Sequence, residues 1–272
     1  MPMRTIAQIS DLHFGRHSSA AAEDLLASVN EHRPDLVVLS GDLTQRAQHA
    51  EFAEARRFLN RLEPPKIVVP GNHDVPLFNV ISRFVMPFAK YNRYIMPAGL
   101  PAGYYADDEI AVLGINTARR FTGKSGRVSL EQIAHIRRVF SDAPPNTFKA
   151  MVTHHPLAFP AEEPTLELAG RSALALATLA ESGVHLLLSG HHHRATSGHS
   201  VAEMVSGNSI LVLHAGTAIS TRIRGSEGNT YNLLCIDQNQ VIVTVMEWAA
   251  GLGFRENRKR AYALENGRWV RA

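Results

Sequence analysis

Five short apolar runs in this chain each end at once in a cluster of carboxylate, imidazole or amide side chains. Residues 5–10 run into Asp11-Leu12-His13, residues 36–39 are followed by Gly41-Asp42, and residues 67–69 by Gly71-Asn72-His73-Asp74. Residues 148–153 lead into His154-His155-Pro156, and residues 184–188 into Gly190-His191-His192-His193. Amphipathic helical stretches separate the first runs: 20–32 with Leu25, Leu26 and Val29, and 49–62 with Phe52, Ala55, Phe58 and Leu59 on one face. Strands separated by helices of this length imply right-handed crossovers and a largely parallel sheet. Ligands of open α/β sheets bind at the carboxyl ends of the strands, so the five clusters are expected along one sheet edge, where they can converge.

Beyond these runs the pattern predicts partial helix over 75–94, broken at Pro76 and Pro87, and strands at 104–106 and 111–115. Ser129-Leu130-Glu131-Gln132 has the capping-box pattern and predicts a helix to about Ser141. A further helix over 171–182 stops at Gly183. From about residue 209 the character changes. Residues 210–214, 231–236 and 241–248 read as strands with little helix between them, and Asn266-Gly267 reads as a hairpin turn between 262–264 and 268–270. The expectation is an α/β chain of one domain, 1–272, with two sheets. The motifs lie within 6–193, and the β-rich part 209–272 completes the second sheet.

Composition narrows the function. Of 272 residues, 45% are apolar and 19% charged, which excludes a disordered chain. The formal charge of +3 is too small for a nucleic-acid coat. A single cysteine, Cys235, excludes an internal disulfide framework and a cysteine zinc finger. The start of the chain has no apolar signal region, and the stretch 172–188 is interrupted by Glu181, Gly183 and His185, too polar to span a bilayer. A cytoplasmic enzyme with no transmembrane segment is expected. Histidine is the outlier, with fourteen residues.

Carboxylates, neutral imidazoles and an amide oxygen suit borderline divalent metals. On an extended chain, Asp-x-His and His-x-His would place two donors on one side. Glycines beside Asp42, Asn72 and His191 allow tight turns and close backbone approach. Each motif alone has an ordinary structural role: a strand-end Asp caps a helix, Gly-Asp makes a turn, a histidine packs in a core. Together, in order and all at strand ends, they exceed the needs of one tetrahedral ion. They fit two ions about 4 Å apart that share a carboxylate, the arrangement that clamps a phosphoryl group.

The ordered set Asp-x-His, Gly-Asp, Gly-Asn-His-Asp, His and Gly-His-x-His resembles the calcineurin-like metallophosphoesterase superfamily, over residues 6–193. The resemblance implies a four-layer α/β/β/α fold, a two-sheet β-sandwich flanked by helices. It implies one metal held by Asp11, His13, Asp42 and His193, and a second held by Asp42, Asn72, His154 and His191, with Asp42 bridging. The family's His-x-Pro pattern assigns His154 as ligand and His155 as its neighbour; His192 is expected to point away. Leu43-Thr44-Gln45 departs from the protein Ser/Thr phosphatases, and His73 departs from the Gly-Asn-Arg-Asp of UDP-diacylglucosamine pyrophosphohydrolases. What remains looks most like the bacterial class III cyclic nucleotide phosphodiesterases.

The implied mechanism is attack on phosphorus by a hydroxide bridging the two cations. His73 is the candidate general acid for the leaving oxygen; Asp74 either orients His73 or caps the next helix. Arg16, His17, Asn116, Arg119, Arg120, Arg222 and Arg224 are candidates to bind substrate, and His214 to support a metal-binding side chain. The cofactors expected are two divalent ions, with Mn²⁺, Fe, Zn²⁺ or Co²⁺ all admitted. The partner expected is a small phosphodiester, with no stable nucleic-acid partner; the C-terminal strands are a candidate surface for a homo-oligomer. Competing readings are a lipid-linked or nucleotide-sugar pyrophosphate hydrolase, a nuclease using Arg255, Arg258, Lys259 and Arg260, and a non-catalytic scaffold. Phe84, Phe88, Tyr91 and Tyr94, within 78–94, could cap a purine, admit an acyl chain, or be core.

Overall fold

A computed structural model of the chain describes residues 3–76, 80–96, 103–120, 124–144, 146–160, 167–199, 209–222 and 228–272. Its first half runs β1 (Arg4–Ile9), α1 (Ser19–His32), β2 (Leu36–Ser40), α2 (His49–Arg61), β3 (Lys66–Val69), a 3₁₀ turn (Asn72–Asp74), α3 (Val80–Val85), α4 (Ala89–Tyr94), β4 (Tyr104–Ala106) and β5 (Ile110–Gly114). It continues with α5 (Leu130–Ser141), β6 (Phe148–Val152), α6 (Ser172–Glu181), β7 (Leu186–Ser189), β8 (Thr196–His199), β9 (Leu211–His214), β10 (Thr230–Ile236), β11 (Gln240–Ala249), β12 (Gly253–Glu265) and β13 (Arg268–Arg271).

The strands form two mixed sheets. One has the order β13-β12-β11-β10-β1-β2-β3, the other β4-β5-β6-β7-β9-β8. β1, β2 and β3 are parallel, as are β5, β6, β7 and β9. Three apolar clusters follow from the layering. Ile6, Leu36, Val38, Val112, Val152, Leu188 and Leu213 fill the space between the sheets. Leu25, Val29, Phe52, Phe58 and Leu59 pack α1 and α2 on the outer face of the first sheet. Ile133, Ile136, Phe140, Leu176 and Leu179 pack α5 and α6 on the outer face of the second. The result is the α/β/β/α sandwich.

Local sequence accounts for the helix starts. Ser18 Oγ accepts from Ala21 N at the head of α1. The Ser129 capping box closes both ways, Gln132 N to Ser129 Oγ at 3.1 Å and Ser129 N to Gln132 Oε1 at 2.9 Å. Asn266 (φ 50°) and Gly267 (φ 78°) make the expected hairpin turn.

Two expectations change. The C-terminal strands do not build most of a separate sheet: β10 pairs antiparallel with β1, so β10–β13 extend the sheet that the N-terminal strands begin. The parallel unit leaves that side of β1 open, and β10 satisfies its backbone groups. Secondly, the strand expected at 262–264 is much longer and takes in the basic cluster 255–260. That cluster lies in β12, where Arg258 donates to Ala195 O (2.7 Å) and Arg260 to Ser197 O (3.2 Å), tying β12 to the segment of β8. β8 carries no apolar alternation and was not anticipated.

Candidate metal centre

All five motifs sit two or three residues past the carboxyl ends of β1, β2, β3, β6 and β7, so the parallel strands deliver them to one edge. The delivery is not by strand alternation. Asp11, His13, Asp42, His191 and His193 all have positive φ, between 51° and 78°. That left-handed conformation is uncommon for residues with a Cβ and clusters at functional sites. The chain leaves each strand and turns back at once, which aims successive polar side chains into one space. Gly71 and Gly190 permit close approach: a Cβ would lie 2.0 Å from Asp42 Oδ1 at Gly71 and 1.9 Å from Ser10 Oγ at Gly190.

Four overlapping groups of candidate donor atoms result: Asp11, His13, His193; Asp11, Asp42, His154; His13, Asp42, His73; and His154, His155, His191. In each, the atoms lie within 4.8 Å of one another. Asp11 Oδ1 is 3.1 Å from His193 Nε2 and 3.6 Å from His13 Nε2. Asp42 Oδ2 stands between the two halves, 3.4 Å from His154 Nε2 and 3.9 Å from His13 Nε2. Asn72 Oδ1 is 3.2 Å from His154 Nε2, and His191 Nδ1 is also 3.2 Å from it.

The hydrogen bonds at the back of the site define which atoms face inward. His154 Nδ1 donates to Ser40 O (2.7 Å), so in the neutral ring Nε2 is a bare lone pair. That lone pair faces an amide oxygen, a carboxylate oxygen and another imidazole nitrogen. His193 Nδ1 donates to Arg222 O (3.4 Å), His13 Nε2 lies 3.2 Å from His193 Nε2, and the buried Asp11 Oδ1 makes no hydrogen bond. Acceptors facing acceptors in a buried site need a cation between them, and backbone carbonyls that hold the far ring nitrogen are the usual support for metal-binding histidines. The residues present fit a pair of divalent ions.

The charges agree. Burial opposes the ionised form of both carboxylates, but the surrounding imidazoles, His193 at Asp11 and His154 at Asp42, hold each well below the usual carboxylate range. Burial also opposes a proton on His154, yet Asp42 pulls it up to about 9. Burial and His154 push His191 down to about 3.

Other candidates divide. His73 adjoins the cluster, its N–H donating to Asp42 Oδ1 (2.8 Å) and its Nδ1 to Gln45 O (2.8 Å), with its ring edge-on to His13 at 4.8 Å. Asp74 does not orient the His73 ring; it caps its own 3₁₀ turn through Gly71 N (2.9 Å). Its two oxygens accept from Thr44 N, Thr44 Oγ1, Leu43 N and Gly71 N, tying the loop after β2 to the loop after β3; burial and Asp42 push it up to about 6. His17 faces Glu54 at 3.4 Å, its ring tilted against that of Phe14. Asn116 closes its own turn on Ala118 N (2.8 Å). Arg16 is exposed, and its carbonyl accepts from Thr221 N (3.0 Å). Arg222 contributes its carbonyl to His193, and Arg224 lies outside the described residues. His214 supports no metal-facing side chain. It bonds Ala158 O and Thr196 Oγ1, and burial lowers it to about 4. His155 bonds Thr117 Oγ1 (2.8 Å), and His192 packs on Phe159. Tyr91 is buried in the core and Phe88 and Tyr94 pack against it, while Phe84 is exposed and residue 78 lies outside the described residues.

Ser10, Ser40, Gln45 and Thr217 were missed. Ser10 Oγ donates to Asp11 Oδ2, and Thr217 Oγ1 holds Asp11 O at 2.7 Å. Ser10 and Ser40 were visible as polar ends of apolar runs; Thr217 and the carbonyls leave no trace in sequence.

A family profile described as calcineurin-like phosphoesterase matches residues 4–195. A glycerophosphodiester phosphodiesterase, GpdQ, of Enterobacter lignolyticus is 35% identical over 80 residues, 25% of this chain and 29% of that protein. A probable cyclic nucleotide phosphodiesterase of Synechococcus is 33% identical over 81 residues, 26% of this chain and 32% of that one. The chain thus matches less than two thirds of the length of either relative. A dimetal phosphatase from Danio rerio has the same fold, with TM-score 0.65 over 96% of this chain and 99% of that one at 13% identity. No described helix is long and apolar enough to cross a membrane. The chain belongs to the calcineurin-like phosphoesterase family.

Proposed function

We propose that this calcineurin-like phosphoesterase is a dinuclear-metal-dependent phosphodiesterase acting on a small diester, with a cyclic nucleotide as the leading substrate. The observation that supports it is the convergence of buried acceptors on one another around Asp42 and His154. Asp11, His13, Asp42 and His193 would hold one ion; Asp42, Asn72, His154 and His191 would hold the second. Two divalent cations there supply water activation near neutral pH and positive charge for the phosphoryl oxygens.

The chain's own groups do the rest. The turns after β1 and β7 bring Asp11 and His193 together, while Ser40 O and Arg222 O keep the ring faces of His154 and His193 oriented. Gln45 O holds the His73 Nδ1 proton, so in the protonated ring Nε2–H is the one to transfer to the departing oxygen. Both relatives named above carry diesterase names, one for glycerophosphodiesters and one for cyclic nucleotides, which supports diester over monoester chemistry.

The test compares bis-p-nitrophenyl phosphate with p-nitrophenyl phosphate on the Mn²⁺-loaded protein. The expected result is faster diester hydrolysis, reduced about 10³-fold in Asp42→Asn with loss of bound metal. Monoester preference, or an Asp42→Asn protein as active as the parent, overturns the reading. Cyclic AMP and a glycerophosphodiester then separate the two substrate classes.

A further inference from the structure

The apolar layer between the two sheets is interrupted just beneath the candidate centre. On β1, Ile6 points into that layer while Ala7 and Ile9 point to the outer face, so Gln8 follows Ile6 inward. On β10, Asn232 shares its face with Leu234 and Ile236. Gln8 and Asn232 are direct partners in the β1–β10 ladder, and both are buried. Opposite them in the other sheet, Ser189 and His214 are direct partners in the β7–β9 ladder. Hydrogen bonds join the two pairs into one rung. Gln8 Nε2 donates to Ser189 O (3.0 Å), and Asn232 Nδ2 donates to His214 O (3.3 Å) and to Gln8 Oε1 (2.9 Å).

The rung lies where the gap between the sheets becomes a dimension of the centre. Gln8 stands three residues before Asp11, and Ser189 two before His191. Asp11 and His13 leave the first sheet and His193 leaves the second, yet Asp11 Oδ1 is 3.1 Å and His13 Nε2 3.2 Å from His193 Nε2. Other ties lie elsewhere. His191 N to Asp11 Oδ2 (3.1 Å) and Ala218 N to Ser10 O (3.0 Å) join the loops above the rung, and His154 bonds Ser40 O beside β2. Arg260 and Tyr262 hold Ser197 at the β12–β8 edge. The bond from Gln8 joins β1 directly to β7, the strands that lead to Asp11 and His193. Stability does not call for it. Buried amides are offset only by full pairing, and among the described residues Asn232 Oδ1 and Ser189 Oγ have no partner. Apolar contact is non-directional and lets sheets slide, whereas a hydrogen bond fixes distance and register together.

We propose that Gln8 and Asn232 are positioning residues for the metal centre: their amides set the spacing of the two sheets beneath it, and so the separation of Asp11 and His13 from His193. This rests on the two-ion reading for its effect on metal binding but not for the spacing itself.

Gln8→Met removes the bridge at nearly constant volume, and Asn232→Leu removes its other amide. Each variant is expected to bind Mn²⁺ about tenfold more weakly in calorimetry, with an altered exchange-coupled Mn²⁺ paramagnetic resonance signal. Crystal structures without added metal should show the Asp11–His193 separation shifted by about 0.5 Å. The exchange Gln8→Asn/Asn232→Gln keeps both amides on the rung and is expected to restore most of the affinity and the spacing. Leu234→Ala, on the same face of β10, controls for stability: it lowers the melting temperature and leaves Mn²⁺ affinity as in the parent. If the parent binds fewer than two ions, yet the separation shifts in Gln8→Met and returns in the exchange variant, the rung stands and the two-ion reading falls. An unchanged separation in both single variants, unchanged Mn²⁺ affinity in them beside a parent that binds two ions, or an equal loss of affinity in Leu234→Ala overturns the positioning role.

Discussion

The two ends of β6 and β7 hold the same residue type in opposite circumstances. At the amino end, His185 Nδ1 accepts from Lys149 N (3.0 Å), His185 N donates to Lys149 O (2.9 Å), and the ring stacks on Phe148. Every contact pairs a donor with an acceptor. At the carboxyl end of the same strands, His154 and His191 face each other, Asn72 and Asp42 as acceptors. Burial disfavours a proton at both ends. His185 has Lys149 for a neighbour and falls to about 4, whereas His154 has Asp42 and rises to about 9. One end is complete as folded; the other gathers the side chains proposed to hold cations. The difference teaches that along these two strands the ring nitrogens are paired at the amino end and crowded together with other polar side chains at the carboxyl end.

The sharpest way to separate the candidate centre from the far end is substitution of one histidine in each. His73→Ala is expected to lower diester turnover about 10²–10⁴-fold, more for an alkoxide than for a p-nitrophenolate leaving group. Its melting temperature should stay close to that of the parent. A uniform loss across leaving groups would assign His73 to positioning, not proton transfer. Removing metal comes next in size. Chelation should lower the melting temperature by roughly 8–12 °C relative to protein in saturating Mn²⁺, as ions at 100 to 1,000 times their dissociation constant add about 3–4 kcal/mol. A chelator-insensitive melting curve would place the cations elsewhere.

The smallest effect belongs to the far end. His185 is depressed on folding, so between pH 6.5 and 4 the unfolded chain takes up a proton that the folded one does not. Stability contributed by neutral His185 is present above pH 6.5 and is lost as pH falls through that window, by about 1–2 kcal/mol at pH 5. His185→Gln should flatten that part of the urea-denaturation pH profile and leave turnover intact. An unchanged profile would show that the far end is not coupled to pH in this way.

Much of the fold was legible because the relevant signals are local. The helices at 19–32, 49–61 and 130–141 were marked by apolar periodicity and a capping serine or capping box. The limits of legibility are equally local in cause. Only 262–264 of β12 reads as a strand, because Arg255, Glu256, Arg258, Lys259 and Arg260 interrupt the apolar pattern before it; pairing with β11 makes the rest a strand. β8 is a four-residue edge whose identity depends on β9. At the site, the residue types and their order were visible, but the geometry inferred for Asp-x-His and His-x-His was not the one found. Turns of positive φ converge these pairs, and φ at a non-glycine residue has no reliable sequence signature.

Asp74 shows the division most directly. The sequence alone places a carboxylate two residues past Asn72, and that is compatible with orienting His73, capping a helix or neither. Which of these it does depends on where the loop after β2 lies, and there Leu43 and Thr44 present the amides it binds. The chain's sequence by itself determined the inventory, the order of the donors along it and the strand ends they occupy, because strand periodicity and motif chemistry act over a few neighbours. Which donors share an atom-to-atom space and which carbonyls hold the rings were decided by tertiary structure. Those contacts join segments tens of residues apart, and only the packing of two sheets brings them within hydrogen-bond reach.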